Sequence, residues 1–162
     1  MSPRAAWRLE TLGFKEVYDY AAGKADWFAM GRPMEGALAS LATIGTLAER
    51  DVSTCSLDES AAEVAERTKV AGWDTCVVLA PNRVVLGRVD GGRAEGVSTD
   101  ATAGDAMVEG PSTFRPNVAA REMASFMRKH GLDLALVTTA GGVFVGLIRR
   151  VDVEARVHGL HG

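Results

Sequence analysis

The sequence predicts an α/β fold made of two copies of one structural unit, and three observations predict it. The first is a self-match. At an offset of 59 residues, Gly146 falls on Gly87, Val143 on Val84, Val137 on Val78, Gly131 on Gly72 and Asp133 on Asp74. Thr113, Ala120, Glu122, Ala124, Gly104 and Thr102 fall on Thr54, Ala61, Glu63, Ala65, Gly45 and Thr43, and no gap is needed. The second is the order of patterns inside each copy: a short strand, an Ala-rich helix ending at Gly, a strand, a Gly/Asn turn, a strand, and a helical start. Two such units pack a paired core and form a cleft between them. The third is the stretch Gly142–Asp152, where Val143, Phe144, Val145, Leu147 and Ile148 form a short apolar, β-favouring run broken by Gly146. Arg149, Arg150 and Asp152 follow where that strand becomes a helix, so guanidinium groups and a carboxylate meet at one strand end. A carboxylate there can accept ribose hydroxyls while an arginine meets phosphate; the same charges also suit a solvated helix cap.

The first 36 residues lie outside the repeat. Ser2 and Pro3 make an N-cap and first-turn pair, Ala5 to Leu12 reads as a helix with Trp7, Leu9 and Leu12 on its apolar side, and Gly13 ends it. A short strand, Glu16 to Tyr20, is expected next, then a loop-rich stretch with Trp27 and Phe28. A piece this small cannot fold alone, so it is expected to dock on the repeats or on another copy of the chain.

Residues 37–43 read as a linker helix continuing into the first repeat, with Leu38, Leu41, Ile44 and Leu47 on one side. The first repeat covers 44–100 and the second 101–160. Ile44 to Arg50 and Ala103 to Val108 are short lead-in helices. Ser56 with Glu59, or Asp58, is expected to cap the first long helix, and Pro116 with Asn117 to start its partner. Along that partner Val118, Met123, Ala124, Phe126 and Met127 form an apolar side suited to core or to a dimer face. Asp90 to Gly104 is a Gly-rich connector, where each Gly costs a helix about 1 kcal/mol relative to Ala. Arg93 beside it could mark a phosphate loop, but no Lys-Ser/Thr follows, and a flexible linker is the simpler reading.

A length of 162 residues allows a sizeable core. A net charge of −3 argues against a general nucleic-acid or membrane-surface binder. No apolar run approaches the roughly 18 residues needed to span a bilayer, and the N-terminus lacks a signal-peptide core, so a cytoplasmic chain is expected. Cys55 and Cys76, both on expected strands, read as buried free thiols. With these two cysteines and three scattered histidines, a structural zinc site lacks ligands at usable spacing. His158 and His161 fall in a Gly-flanked tail.

These motifs resemble a tandem pair of cystathionine-beta-synthase (CBS) domains, a Bateman module, over roughly Ile44 to Gly159. The family pattern has Thr on the first strand and Gly-hydrophobic-hydrophobic-Thr/Ser-x-x-Asp before the last helix. The second repeat matches with Thr113 and with Gly146, Leu147, Ile148, Arg149, Arg150, Val151 and Asp152; Arg149 stands at the Thr/Ser position. In the first repeat Asp90 holds the Thr/Ser position and Arg93 the Asp position. The resemblance implies two β-α-β-β-α repeats and a non-catalytic regulatory module that binds AMP, ADP, ATP or S-adenosylmethionine, mainly at the second-repeat site. There Thr113 and nearby backbone would fix base and ribose, Ala135 and Ile148 line the adenine, Asp152 accept the ribose hydroxyls, and Arg149 with Arg115 face phosphate. It also implies a homodimer through the CBS helices and an effector protein that the sequence does not name. The alternative is a structural or protein-interaction pair without ligand.

The N-terminal segment resembles the C-terminal end of a rhodanese domain, through AAWRLETLGF, EVYDY, AAGKADW and GRP. The persulfide-carrying Cys expected upstream of that helix has no counterpart before Cys55, so the segment reads as a catalytically empty remnant that serves for docking, and a sulfurtransferase is the less favoured enzymatic reading.

Overall fold

The computed structural model describes residues 3–18, 23, 27, 32, 42–91, 98 and 100–159. After helix α1 (Pro3–Thr11) the repeats begin. The first has α2 (Ile44–Leu47), β1 (Thr54–Cys55), α3 (Ala61–Val70), β2 (Thr75–Leu79) and β3 (Val85–Asp90). The second has α4 (Ala103–Ala106), β4 (Val108–Glu109), β5 (Thr113–Phe114), α5 (Ala120–His130), β6 (Leu134–Thr138), β7 (Phe144–Arg149) and α6 (Arg150–His158). The connector Asp90–Gly104, where the closing helix of the first repeat would fall, has residues 92–97 and 99 outside the described residues, and residues 37–41 of the linker helix lie outside them too.

Each unit builds the same small sheet. β1 runs parallel to β2 with Thr54 opposite Val77, and β5 parallel to β6 with Thr113 opposite Leu136. The antiparallel partners follow in register, Thr75 opposite Asp90 and Leu134 opposite Arg149, and both ladders are interrupted at the same place, at Val78/Leu79 and at Val137/Thr138. β2 and β6 are apolar along nearly their whole length because each is covered by its own helices on one side and by the other unit on the other.

The lead-in of each unit belongs structurally to the other. β4, from the second repeat, pairs antiparallel with β3 of the first, placing Val108 opposite Arg88. Reciprocally, Glu49 bridges Leu147, with N–H to carbonyl distances of 2.8 and 2.9 Å in the two directions. Thr43 bridges Ala119 and Ser60 bridges Thr102, and Val84 bridges Val143, its own repeat partner. The sequence offset carries every one of these contacts onto another or onto itself, so a pseudo-two-fold axis passes between Val84 and Val143.

That crossing explains which glycines repeat. A Cβ on Gly146 would stand 2.6 Å from the Glu49 carbonyl oxygen, and one on Gly87 would stand 2.8 Å from the Val108 carbonyl oxygen. Contacts that short do not occur, so only a residue without Cβ lets the lead-in strand approach. A Cβ on Gly45 would likewise stand 2.6 Å from the Pro116 Cβ.

Three apolar clusters hold the fold. Ile44, Met123, Met127, Val137, Ile148 and Val153 pack in the second unit; Cys55, Val64, Cys76, Val78 and Val89 pack in the first. Val52, Val77, Leu136, Phe144 and Leu147 join the two sheets. Along α5, Met123, Ala124 and Met127 are buried, whereas Phe126 is 39% exposed and packs edge-on to Phe114. Both cysteines are free and buried; a hydrogen bond to Cys76, reinforced by burial, raises the Cys55 thiol pKa.

Several local expectations change. Residues 16–18 form no strand, and none of the described strands runs beside them to supply a ladder; Asp19 and Tyr20 lie outside the described residues. The N-cap of α3 is Ser60, because Glu59 instead accepts from the Ser56 N–H at 2.7 Å and pairs with Arg67 at 2.8 Å. α5 starts at Ala120 rather than at Pro116, whose carbonyl accepts the Gly45 N–H at 2.9 Å and so anchors α2. The lead-in helices are single turns, since the chain after each extends to cross into the neighbouring sheet.

Gly146→Ala is expected to destabilise the protein by about 1–3 kcal/mol through the forced separation of the lead-in strand, measured by urea unfolding. Arg83 has φ +62 where its repeat partner Gly142 has φ +80. Removing its Cβ relieves the left-handed penalty, so Arg83→Gly is expected to stabilise by up to about 1 kcal/mol, read as a higher urea midpoint at unchanged slope.

Candidate ligand cleft between the repeats

The crossing lead-in and the end of β7 enclose a cleft of about 520 Å³ lined by Leu47, Glu49, Asp51, Trp73, Leu147, Arg149 and Asp152. The first repeat supplies Leu47, Glu49 and Asp51 from its lead-in, held there by the bridge to Leu147. It also supplies Trp73, which follows the left-handed turn at Gly72 and whose backbone N–H donates to the Thr68 carbonyl at 3.0 Å. The second repeat supplies Arg149 as the N-cap residue of α6 and Asp152 in its first turn, where a carboxylate is favoured by the helix dipole.

The Arg149 guanidinium lies 4.1 Å over the Trp73 ring and reaches the Gly72 carbonyl at 3.5 Å. It is therefore a clasp between repeats. Arg150 is taken up by Asp133 at 2.6 Å. Glu49 folds back, its Oε1 accepting the Arg50 and Asp51 N–H groups at 3.0 and 3.1 Å.

Of the residues singled out from sequence, the structure brings Arg149 and Asp152 together. Thr113 is exposed on β5 opposite Leu136. Arg115 donates to the Thr138 hydroxyl at 3.2 Å and to the Thr139 carbonyl, at the far end of β6 from Leu134 and its partner Arg149. Ile148 is 2% exposed in the second-unit core, and Ala135 lies in that core and against the opposite cleft. Sequence reasoning missed Trp73, Glu49 and Asp51, which reach the site only through the crossing of units.

The counterpart cleft is divided into spaces of about 210 and 400 Å³. There Leu132 replaces Trp73, Arg88 replaces Leu147, and Asp90 replaces Arg149. Arg88 meets Asp90 at 3.3 Å, and Asp90 accepts from Thr75 at 2.9 Å. Two pseudo-equivalent clefts thus have different chemistry.

No family model matches this sequence, and no curated protein does. Solved structures do. A putative acetoin utilization protein (AcuB) from Vibrio cholerae is 17% identical with a TM-score of 0.66, over 74% of this chain and 93% of that one. CBSX2 in complex with AMP, a protein of Arabidopsis thaliana, is 15% identical with a TM-score of 0.66, over 74% and 98%. The chain has the fold of a CBS-domain pair. A further similar structure is the CBS domain pair of protein MJ0100 in complex with 5′-methylthioadenosine and S-adenosyl-L-methionine, 13% identical with a TM-score of 0.63, over 74% and 98%. Among the described residues of this chain, no helix is long and apolar enough to cross a membrane, and no group of three or more His, Cys, Asp or Glu residues is gathered for a metal.

The contact of Arg149 with Trp73 is expected to contribute about 0.5–1 kcal/mol. A double-mutant cycle of Arg149→Ala and Trp73→Leu in urea unfolding measures that coupling directly.

Proposed function

We propose that this chain is a non-catalytic regulatory CBS pair that binds an adenosine ligand, of the AMP, ADP, ATP or S-adenosylmethionine group, in the second-repeat cleft. One observation carries the reading: Asp152, an acid at a helix N-terminus, lines a groove beside an aromatic face, Trp73, supplied by the other repeat. In this reading Asp152 accepts the ribose hydroxyls, as acids do in other nucleotide folds, and Trp73 offers the ligand an aromatic face once Arg149 swings aside. CBS pairs of the same fold crystallised with AMP, and with 5′-methylthioadenosine and S-adenosyl-L-methionine, support the ligand class.

The output follows from where the site is built. A ligand bridging Asp152 and Trp73 favours one relative placement of the two units, and it shifts that equilibrium only by its differential affinity for the alternatives. The exposed side of α5 around Phe126 supports a homodimer through the CBS helices, presented to an effector protein. Trp7, Leu12 and Phe14, each about 60% exposed, support docking by the N-terminal segment. A cytoplasmic setting accords with such a sensor.

A second reading, a structural or interaction module without ligand, is favoured by Arg149, which stands at the Thr/Ser position and covers the aromatic face. Calorimetry with AMP, ADP, ATP and S-adenosylmethionine separates the two. In the first reading at least one binds, and Asp152→Ala weakens that binding roughly tenfold to a hundredfold, the effect of losing a charge-assisted hydrogen bond worth about 1.5–3 kcal/mol. Silence across all four, or equal affinity in the variant, supports the second reading or removes the ribose role of Asp152.

A further inference from the structure

The charge of the second-repeat cleft points to a narrower ligand class than the fold does. Among the described residues, its lining holds three carboxylates, Glu49, Asp51 and Asp152, against a single cation, Arg149. That cation lies flat on Trp73 and reaches the Gly72 carbonyl, and wherever its side chain turns, the lining stays net negative. The neighbouring arginines do not redress the balance: Arg150 is paired with Asp133, and Arg50 is not among the lining residues. Glu49 keeps its carboxylate at the cleft by bonding its own turn rather than a base.

A phosphate ester brought into this groove meets net negative charge, with no lysine among the described lining residues to meet it. A group that bears positive charge meets the opposite. The Trp73 face carries a cation 4.1 Å from its centroid in the structure, so its geometry already admits one. Aromatic faces flanked by carboxylates suit soft, weakly hydrated cations such as sulfonium and quaternary ammonium.

Resting on the proposed nucleoside site, we infer that this cleft selects by charge: it takes a purine nucleoside whose 5′ substituent lacks phosphate, and prefers one carrying a cation. Asp152 holds the ribose. Glu49 and Asp51 set the sign of the remaining substituent, and Arg149 yields its place on Trp73 to the incoming group. Glu49 and Asp51 are specificity residues in this account, supplied by the repeat that does not carry the ribose acid.

The test is calorimetry on the full chain with S-adenosylmethionine, 5′-methylthioadenosine, adenosine, AMP and ATP, at low and at physiological salt. The sulfonium compound is expected to bind about tenfold or more tighter than AMP, with 5′-methylthioadenosine and adenosine between them and ATP weakest. Screening by added salt is expected to weaken the sulfonium compound and to strengthen AMP. In the variant carrying Glu49→Gln and Asp51→Asn, the gap between the sulfonium compound and AMP is expected to close. AMP or ATP binding more tightly than 5′-methylthioadenosine overturns the charge selection while leaving a nucleoside site in place. So does a gap that the double variant leaves unchanged. Silence from all five compounds overturns the nucleoside site itself, and the selection with it.

Discussion

The reciprocal exchange of lead-in strands is the constraint on which the rest of this structure depends. Glu49 pairs with Leu147 across the pseudo-axis, and Val108 pairs with Arg88. Without that exchange, neither unit completes its sheet, and Val52, Val77, Leu136, Phe144 and Leu147 have no common core. Backbone pairing of this kind demands close approach, and Gly146 and Gly87 are the positions that permit it. The repeat is therefore most faithful in sequence where side chains would obstruct, and freest where the clefts open.

That freedom is used differently on the two sides. One groove has Trp73, Arg149 and Asp152; its mate has Leu132, Asp90 and Arg88 at related positions or close by. A pseudo-symmetric frame fixes the positions and leaves the chemistry to vary, so a duplicated fold can hold one specialised site and one that does other work. Residues of both units line each groove, so a molecule held there would touch both at once.

Much of the frame was legible because it is local or periodic. The offset of 59 residues is a periodic signal, and the Gly that ends each long helix and the apolar runs of β2, β6 and β7 each reflect a rule that acts within a few residues. What escaped was non-local. Trp73 lies 79 positions before Asp152, and only the three-dimensional crossing joins them. Arg115 illustrates the same limit. It follows β5, which is parallel to β6, whereas β7 is antiparallel to it, so the carboxyl ends of β5 and β7 fall at opposite sheet edges. Both arginines read as strand-end cations, yet only Arg149 reaches the groove. Capping misread for a related reason: Ser56, Glu59 and Pro116 carry capping chemistry, but tertiary contacts with Arg67 and Gly45 claim Glu59 and Pro116 first.

Whether a nucleoside occupies the groove built by the lead-in of one unit and the strand end of the other is read most directly from backbone amide shifts as adenosine is titrated into isotope-labelled protein. The account predicts that residues 47–51, Gly72, Trp73 and 149–152 move together along one binding curve. Shifts confined to 108–110 and 131–134, the counterpart groove, or no shift at millimolar adenosine, would contradict it.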